Sequence, residues 1–584
     1  MRVRIFIVGC LVLPFFWLNA EPDVGGTNYY VDFQGGRDGN PGTSMDMPWK
    51  TIPGTRSTDG QDWVSNHWGR IDEKHKVPAG STIYLKSGTR YDHSIGGFIL
   101  VDPTFYSNGT EEKPVSILRH PSWGNGKVVF DGTNLIVPKW RAILDILGVK
   151  FLTIDGLTPS GITVAHSTWN CIRCLDSGAN GLTLRNLELS DSDHAPLFLF
   201  SSEASKPVYL SGVELDGLTV HDGNGVLDDD SLIYAGFLEN FVIQNSTAYR
   251  SGKGSDGIHL GSCRNGWVLN CETSGCGEQG IDLSRDGDYK KRDDSYAITV
   301  RDCISHDNRV NNFDHNSGTH HVYWINCASW RTTSGELGDA GFNVHQGTAG
   351  PNWWIYCTST KSSDRGFNFA WDGNPWNIPP GEYRQTMINC VSSGDSIRNG
   401  SSGGGSVWIG SNPSNRITAP FRFDHCDFHT GGRRYGVVND RGRIFRAEDL
   451  EQGGEGWPGI QCISKDPMWK QTDGGWSREA LQPAPGSPCR GAGVFPFATR
   501  TSAAEADVLL VDGRDSEMDA SRVFRTGDSI EIEAVGVVRI KSVARRDEIR
   551  LSNPVTWKQG RGVWLAGRNA IQIGADLTSK PFSS

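Results

Sequence analysis

The chain has 584 residues, enough for one large elongated domain and something smaller. Its net charge of −10, from 57 Lys and Arg against 67 Asp and Glu, argues against nucleic acid as the main partner. With 72 Gly, 20 Trp and 24 Phe it suits a turn-rich β protein that handles sugars, although aromatics are also ordinary core.

Residues 1–20 read as a secretory signal: Arg2 and Arg4, an apolar run from Ile5 to Leu18, then Asn19-Ala20 before Glu21. The apolar run is short for a membrane span, which takes about 20 residues. No later stretch reads as a span, so the protein is expected to be secreted or periplasmic.

The mature chain opens with Tyr29-Tyr-Val-Asp32, Gly39-Asn-Pro-Gly-Thr43, Pro48-Trp-Lys-Thr-Ile52 and Val77-Pro-Ala-Gly-Ser-Thr-Ile-Tyr-Leu85. This order resembles the opening of secreted right-handed parallel β-helix proteins of the pectate lyase-like superfamily. The resemblance implies a cap over residues 21–150, a β-helix core with an active groove over 151–500, and a separate unit from 501 to 584.

A repeat supports that architecture. Short strands recur at intervals of 24 to 36 residues, and their last residues form one column: Leu157, Leu187, Leu218, Ser246, Cys271, Cys303, Cys327, Cys357, Cys390 and Cys426. One such unit has too few apolar residues for a core, so units must stack to bury them. Exchange of Leu for Cys predicts a buried thiol stack, since free Cys behaves as a small hydrophobe. Cys171/Cys174 and Cys263/Cys276 fall outside the column, as local disulfides or plain burial. The predicted fold class is all-β, a solenoid of about ten or more coils followed by a small β-barrel-like module. The module's strands are expected near Val508–Val511, Ser529–Glu533, Val537–Ile540, Glu548–Leu551 and Gly562–Leu565, and Ile571–Ala575 is a candidate return to the solenoid.

A second repeat carries the candidate chemistry: Asp256-Gly-Ile-His-Leu260, Gln279-Gly-Ile-Asp-Leu283, Asn311-Asn-Phe-Asp-His315, Ala340-Gly-Phe-Asn-Val344 and Arg365-Gly-Phe-Asn-Phe369. Alternation along a strand sets His259, Asp282, Asp314, Asn343 and Asn368 on one face, as an outward ladder with rungs about 4.8 Å apart. Carboxylates on adjacent rungs titrate as a coupled pair. That pattern serves acid and base in glycoside hydrolysis, or calcium binding, or a solvated surface with no task. His259 and His315 bracket the pair as acid/base candidates. Asn343, Asn368, Arg285, Lys290 and Trp371 are candidate substrate contacts, and Trp330, Trp353 and Trp376 offer further rings for sugar stacking.

The stretch 253–320 resembles family 9 pectate lyases, in which an acidic "DDGFD" strand binds calcium and a "GFKLGG" strand carries the lysine base. The resemblance implies Ca²⁺ at Glu278 and Asp282, but the lysine position is Asp314. The leading expectation is therefore a polysaccharide hydrolase using Asp282 and Asp314. The alternatives are a Ca²⁺-dependent lyase acting on an acidic polysaccharide and a non-catalytic glycan-binding surface protein.

Overall fold

Each coil bends at a residue held at positive φ. Asn186, Asn245, Asn270, Asp302, Asn326 and Asn389 occupy this corner with φ between 51° and 62°, a region that Asn and Asp tolerate best among residues with a Cβ. Their side chains bond from coil to coil: Asn270 Nδ2 donates to Asn245 Oδ1 (2.8 Å) and Asn326 Nδ2 to Asp302 Oδ1 (2.6 Å).

The computed structural model describes residues 26–58, 76–175, 178–201, 208–224, 230–286, 295–316, 318–334, 339–345, 350–369, 383–394, 405–409, 421–429, 437–439, 444–445, 459–470 and 480–568. Within them the repeated bend stacks strands into three long sheets of 14, 13 and 12 strands. Pairing is parallel between successive coils, apart from Val437–Asn439 with Ile444–Phe445 at the end of the 13-stranded sheet. The first strand, Asn28–Val31, already pairs with Thr82–Ser87 in the 14-stranded sheet, so the solenoid reaches into the segment read as a cap. The signal-like residues 1–20 and Ile571–Ala575 lie outside the described residues.

The cysteine column runs through the core and continues one coil further, to Cys462. Its first member needs correction. Leu157 turns outward, 40% exposed, and Ile162 takes the place beside Leu187. The cause is a short insertion: Leu157 adopts φ 60° and starts a loop, which the regular motif spacing does not reveal. All twelve described cysteines are free and buried, which settles Cys171, Cys174, Cys263 and Cys276 as buried thiols. The column thiols donate to the coil before, as Cys390 Sγ does to the Trp354 carbonyl (3.3 Å).

In the 13-stranded sheet, Ile258, Ile281, Phe313, Phe342 and Phe367 form an inward column, with the last three rings stacked 4.7 and 4.8 Å apart. Burying each such side chain contributes roughly 1.5–3 kcal/mol. The preceding residue also faces inward, where the chain turns a corner. A Cβ on Gly280 would lie 1.9 Å from Ser305 Oγ and 2.5 Å from Asn308 Nδ2. Asn312 occupies this column in the next coil and satisfies its amide by donating to Ser329 Oγ (2.8 Å) and the Trp330 carbonyl (3.2 Å). Gly280→Ala is therefore expected to cost about 2–3 kcal/mol through overpacking, read as a lowered melting temperature by calorimetry.

The C-terminal unit is a closed six-stranded antiparallel barrel: Phe497–Thr499, Ala503–Gly513, Glu548–Trp557, Gly536–Arg545, Ser529–Ile532 and Gly562–Leu565. It packs on the outer face of the 14-stranded sheet. Tyr323, Ile325, Trp353, Ile355 and Ile388 share an apolar cluster with Phe497, Phe524, Ile530 and Trp564. Arg301, buried there, forks onto Asp528 (2.7 and 3.1 Å) and donates to the Val523 carbonyl (3.0 Å). The barrel thus covers a different sheet from the one that carries the polar ladder. No helix among the described residues is long and apolar enough to cross a membrane.

Candidate active groove

The strands Asp256–Gly261, Ile281–Ser284, Phe313–His315, Ala340–Val344 and Arg365–Phe369 are neighbours in the 13-stranded sheet. Their register aligns His259, Asp282, Asp314, Asn343 and Asn368 as successive rungs. The column continues through Tyr234, Phe198 and Arg173 on the other side. All five polar rungs are buried or nearly so, because they spend their polar groups on one another.

His259 is the hub of an acidic cluster. Its Nδ1 lies 2.9 Å from Asp282 Oδ2 and 3.4 Å from Asp256 Oδ2, and its Nε2 lies 3.4 Å from Asp286 Oδ1 and 3.2 Å from Ser284 Oγ. Its ring stacks on Tyr234 with centroids 4.8 Å apart. Burial alone would lower its pKa, but hydrogen bonds to Asp256, Asp282 and Asp286 hold it well above the usual range, so the ring is an imidazolium.

Asp286, an acidic residue close in sequence to the pair, joins the cluster, and two glycines account for its place. Gly236 and Gly261 leave the space that its carboxylate fills: a Cβ on Gly261 would fall 1.9 Å from Asp286 Oδ2. Ser262 anchors the backbone of Asp286 from both sides, accepting from its N–H (3.0 Å) and donating to its carbonyl (2.7 Å).

The two ladder aspartates differ in state. Burial raises Asp282 to about 7; His259 opposes that rise, and the charges of Asp256 and Asp314 add to it. Its Oδ1 is buried and has no hydrogen-bond partner among the described residues. Asp314 is wholly buried, which would raise its pKa. The charge of His345, with hydrogen bonds from His345, Asn343 and Gln279, instead holds it below the usual carboxylate range.

Asp314 is saturated. It accepts from Asn343 Nδ2 (2.8 Å), Gln279 Nε2 (3.2 Å), Asn311 Nδ2 (3.4 Å) and the His315 N–H (3.0 Å), and pairs with His345 Nε2 (3.2 Å). Behind it runs a relay of fixed polarity. Arg365 can only donate, and does so to Asn368 Oδ1 (2.7 Å); Asn368 Nδ2 then donates to Asn343 Oδ1 (2.6 Å). This order turns the Asn343 amide so that its N–H₂ faces Asp314. Asn343 and Asn368 thus serve the ladder itself.

His345 is a residue that the sequence reading missed. It lies two positions past Asn343, so it shares the outward face, and its side chain is 41% exposed above the buried Asp314. His315, by contrast, points inward between Leu283 and Val344. It is fully buried, accepts from Trp324 Nε1 at 3.5 Å, and burial pushes it down to about 3. It is a neutral core residue that does not reach the groove.

The ladder does not gather the other candidates. Among the described residues, the acidic group whose ligand atoms lie within 4.8 Å of one another is Asp256, His259 and Asp282. Glu278 stands outside it and accepts from Gln279 Nε2 (3.3 Å). Arg285 is half-buried, next to Asp286 in the chain. Trp353 is buried under the barrel against Tyr323 (4.3 Å), and Trp330 stacks on His306 (4.3 Å) from the third sheet. Lys290, Trp371 and Trp376 lie outside the described residues.

No curated protein matches the sequence. Among solved structures the chain is similar to a rhamnogalacturonan lyase, with TM-score 0.37 and 16% identity over 68% of this chain and 87% of that one. It is similar to pectate lyase Pel9A, with TM-score 0.36 and 14% identity over 79% and 96%. It is also similar to the GH136 lacto-N-biosidase from Eubacterium ramulus, with TM-score 0.37 and 13% identity over 71% and 64%. Residues 151–349 match the family model for the right handed beta helix region, and with its three stacked parallel sheets the chain is a right-handed parallel β-helix protein.

Proposed function

We propose that this chain is an exported carbohydrate-active enzyme that hydrolyses glycosidic bonds of a polysaccharide lying along the 13-stranded sheet. The observation that carries the reading is the opposed ionisation of two aspartates on adjacent rungs. Groups whose surroundings push their pKa values apart are suited to act as acid and base. Asp282, protonated below about 7, is the proton donor to the leaving glycosidic oxygen. Asp314, ionised and buried, orients His345, and the His345 ring in its neutral form takes the proton of the attacking water, with Asp314 stabilising the imidazolium that results. The C–O bond to the leaving sugar breaks as the bond from water forms. The surrounding carboxylates favour the cation-like transition state of glycoside hydrolysis. They disfavour the carbanion of β-elimination and would repel a uronate.

A second reading, a cation-dependent lyase, is favoured by the convergence of Asp256, His259 and Asp282 and by the unpartnered Asp282 Oδ1. Asp256 and Asp282 would hold the cation, in place of Glu278 and Asp282. Calcium takes oxygen ligands, and the imidazolium between these carboxylates fits it poorly.

A panel of neutral and acidic polysaccharides, digested with and without EDTA, decides between them. New reducing ends without ultraviolet absorbance, unchanged by EDTA, are expected. Unsaturated products whose formation EDTA abolishes would replace hydrolysis with elimination. Binding without cleavage of any glycan would leave the adhesin-like alternative.

A further inference from the structure

The ladder does not stay open along its whole length. Beyond Phe198 the next rungs, Arg173 and Asp145, are crossed by the chain: Arg173 donates to the Trp140 carbonyl and Arg141 reaches Asp145 at 2.7 Å, so the Trp140–Arg141 segment lies over the column. Beside this crossing is a pocket of about 210 Å³, several times the roughly 30 Å³ share of one water and room for a single sugar ring. Trp140 and Trp169 wall it, Phe198 and Phe200 floor it, and His194 and Asp230 sit at its side.

The wall is built with some care. Trp140 is held at φ 63°, where a bulky residue is rare and strain points to a function. The Arg173 guanidinium fixes it there by donating to its carbonyl. Trp140 and Trp169 meet edge to face, 4.9 Å between centroids, and Trp169 packs on His194. His194 Nδ1 is held by Asp230 Oδ2 at 2.9 Å. The charges in the pocket are paired internally: Arg173 bonds Asp145 at 2.7 and 3.0 Å, and Arg141 reaches the same carboxylate at 2.7 Å. Among the described residues the charged side chains of the lining are paired, and the nearby Lys139 is spent over the Trp140 and Trp169 rings, 5.4 and 5.8 Å from their centroids; aromatic surface beside hydrogen-bonding edges suits a neutral ring with hydroxyls. From the pocket an aromatic strip, Phe198 on Tyr234 (5.0 Å) and Tyr234 on His259 (4.8 Å), leads to the acidic cluster.

We propose that this pocket holds the terminal uncharged pyranose of the glycan chain, so that the enzyme releases oligosaccharides of one short length. The proposal rests on the reading of the groove as a glycan-cleaving site. Phe198 and Asp282 are three rungs apart, about 14 Å, which spans about two to three sugar units.

The test uses the full chain, with Trp169→Ala and the exposed-side variant Trp140→Ala, both checked for folding by circular dichroism. Neutral gluco-, xylo- and galacto-oligosaccharides, from disaccharide to hexasaccharide, are the probes. Wild type is expected to release one product length. Each variant is expected to raise KM about tenfold for chains long enough to reach the pocket, to leave kcat and the shortest substrates unchanged, and to spread the product lengths. Unchanged KM and product pattern in both variants would overturn the pocket while cleavage stands. If wild type cleaves none of the probes, cleavage of neutral glycans fails as a reading. Tryptophan fluorescence titration with the same probes then judges the pocket alone: a wild-type response lost in Trp169→Ala supports it, and no response or an equal one overturns it.

Discussion

Asp282→Asn is expected to lower kcat by about 100- to 10,000-fold, the range that a lost general acid costs, with KM little changed. Wild-type activity should fall as pH rises through about 7, where Asp282 gives up its proton. The residual activity of the variant should show no such limb. Stability adds a readout independent of the substrate. In the unfolded chain an aspartate ionises near 3.9; in the fold Asp282 does so at about 7. Between those values the folded protein holds a proton that the unfolded chain has lost, so stability falls as pH rises across that window. His259, raised above its unfolded value, acts in the same direction: its contribution is present below about 6.5 and lost as pH rises through its folded value. Asparagine at 282 escapes the carboxyl part of that loss. The variant should melt higher than wild type at pH 8 and lose the advantage near pH 4. A variant with wild-type kcat would remove Asp282 from the chemistry.

Asp314→Asn is the second large effect. The asparagine keeps the shape, but its amide presents an N–H₂ where the carboxylate accepted from Asn343, Gln279, Asn311 and His345. His345 then loses both the partner that orients it and the charge that stabilises its protonated form. A fall in kcat of about 100-fold or more is expected. The acidic limb of the pH profile should also shift, because the base has lost its buried anion. A purely structural role would lower Tm without moving that limb. Full activity in the variant would exclude the Asp314–His345 pair from the reaction.

The polar ladder was legible because strand alternation depends only on spacing: the five quoted segments align as their apolar pairs require. His315 was open to the same rule. It lies two positions from Phe313 and in register with Leu283 and Val344, yet its polarity suggested a groove residue. His345 was legible in principle by the same count and was overlooked because it falls just past the repeated five residues. The burial of the ladder was not legible, since it depends on hydrogen bonds between rungs far apart in sequence. Asp286 depends on space left by two glycines from other coils. The docking face of the barrel had a visible signal. Outward positions of the 14-stranded sheet change from Glu214, Asp216 and Gln244 to Tyr323, Ile325, Trp353 and Ile355, an apolar patch that the barrel covers.

The column of cysteines from Cys271 to Cys462 bears on how the protein is made. Seven thiols, one per coil, are sealed side by side in the core without a disulfide among them. In the unfolded chain all of them are open to oxidation, and any pair joined prematurely would hold two coils out of register. The proposed export into an oxidising compartment would set a race between coil closure and the local oxidant, and a solenoid that propagates from neighbour to neighbour shields its thiols one coil at a time.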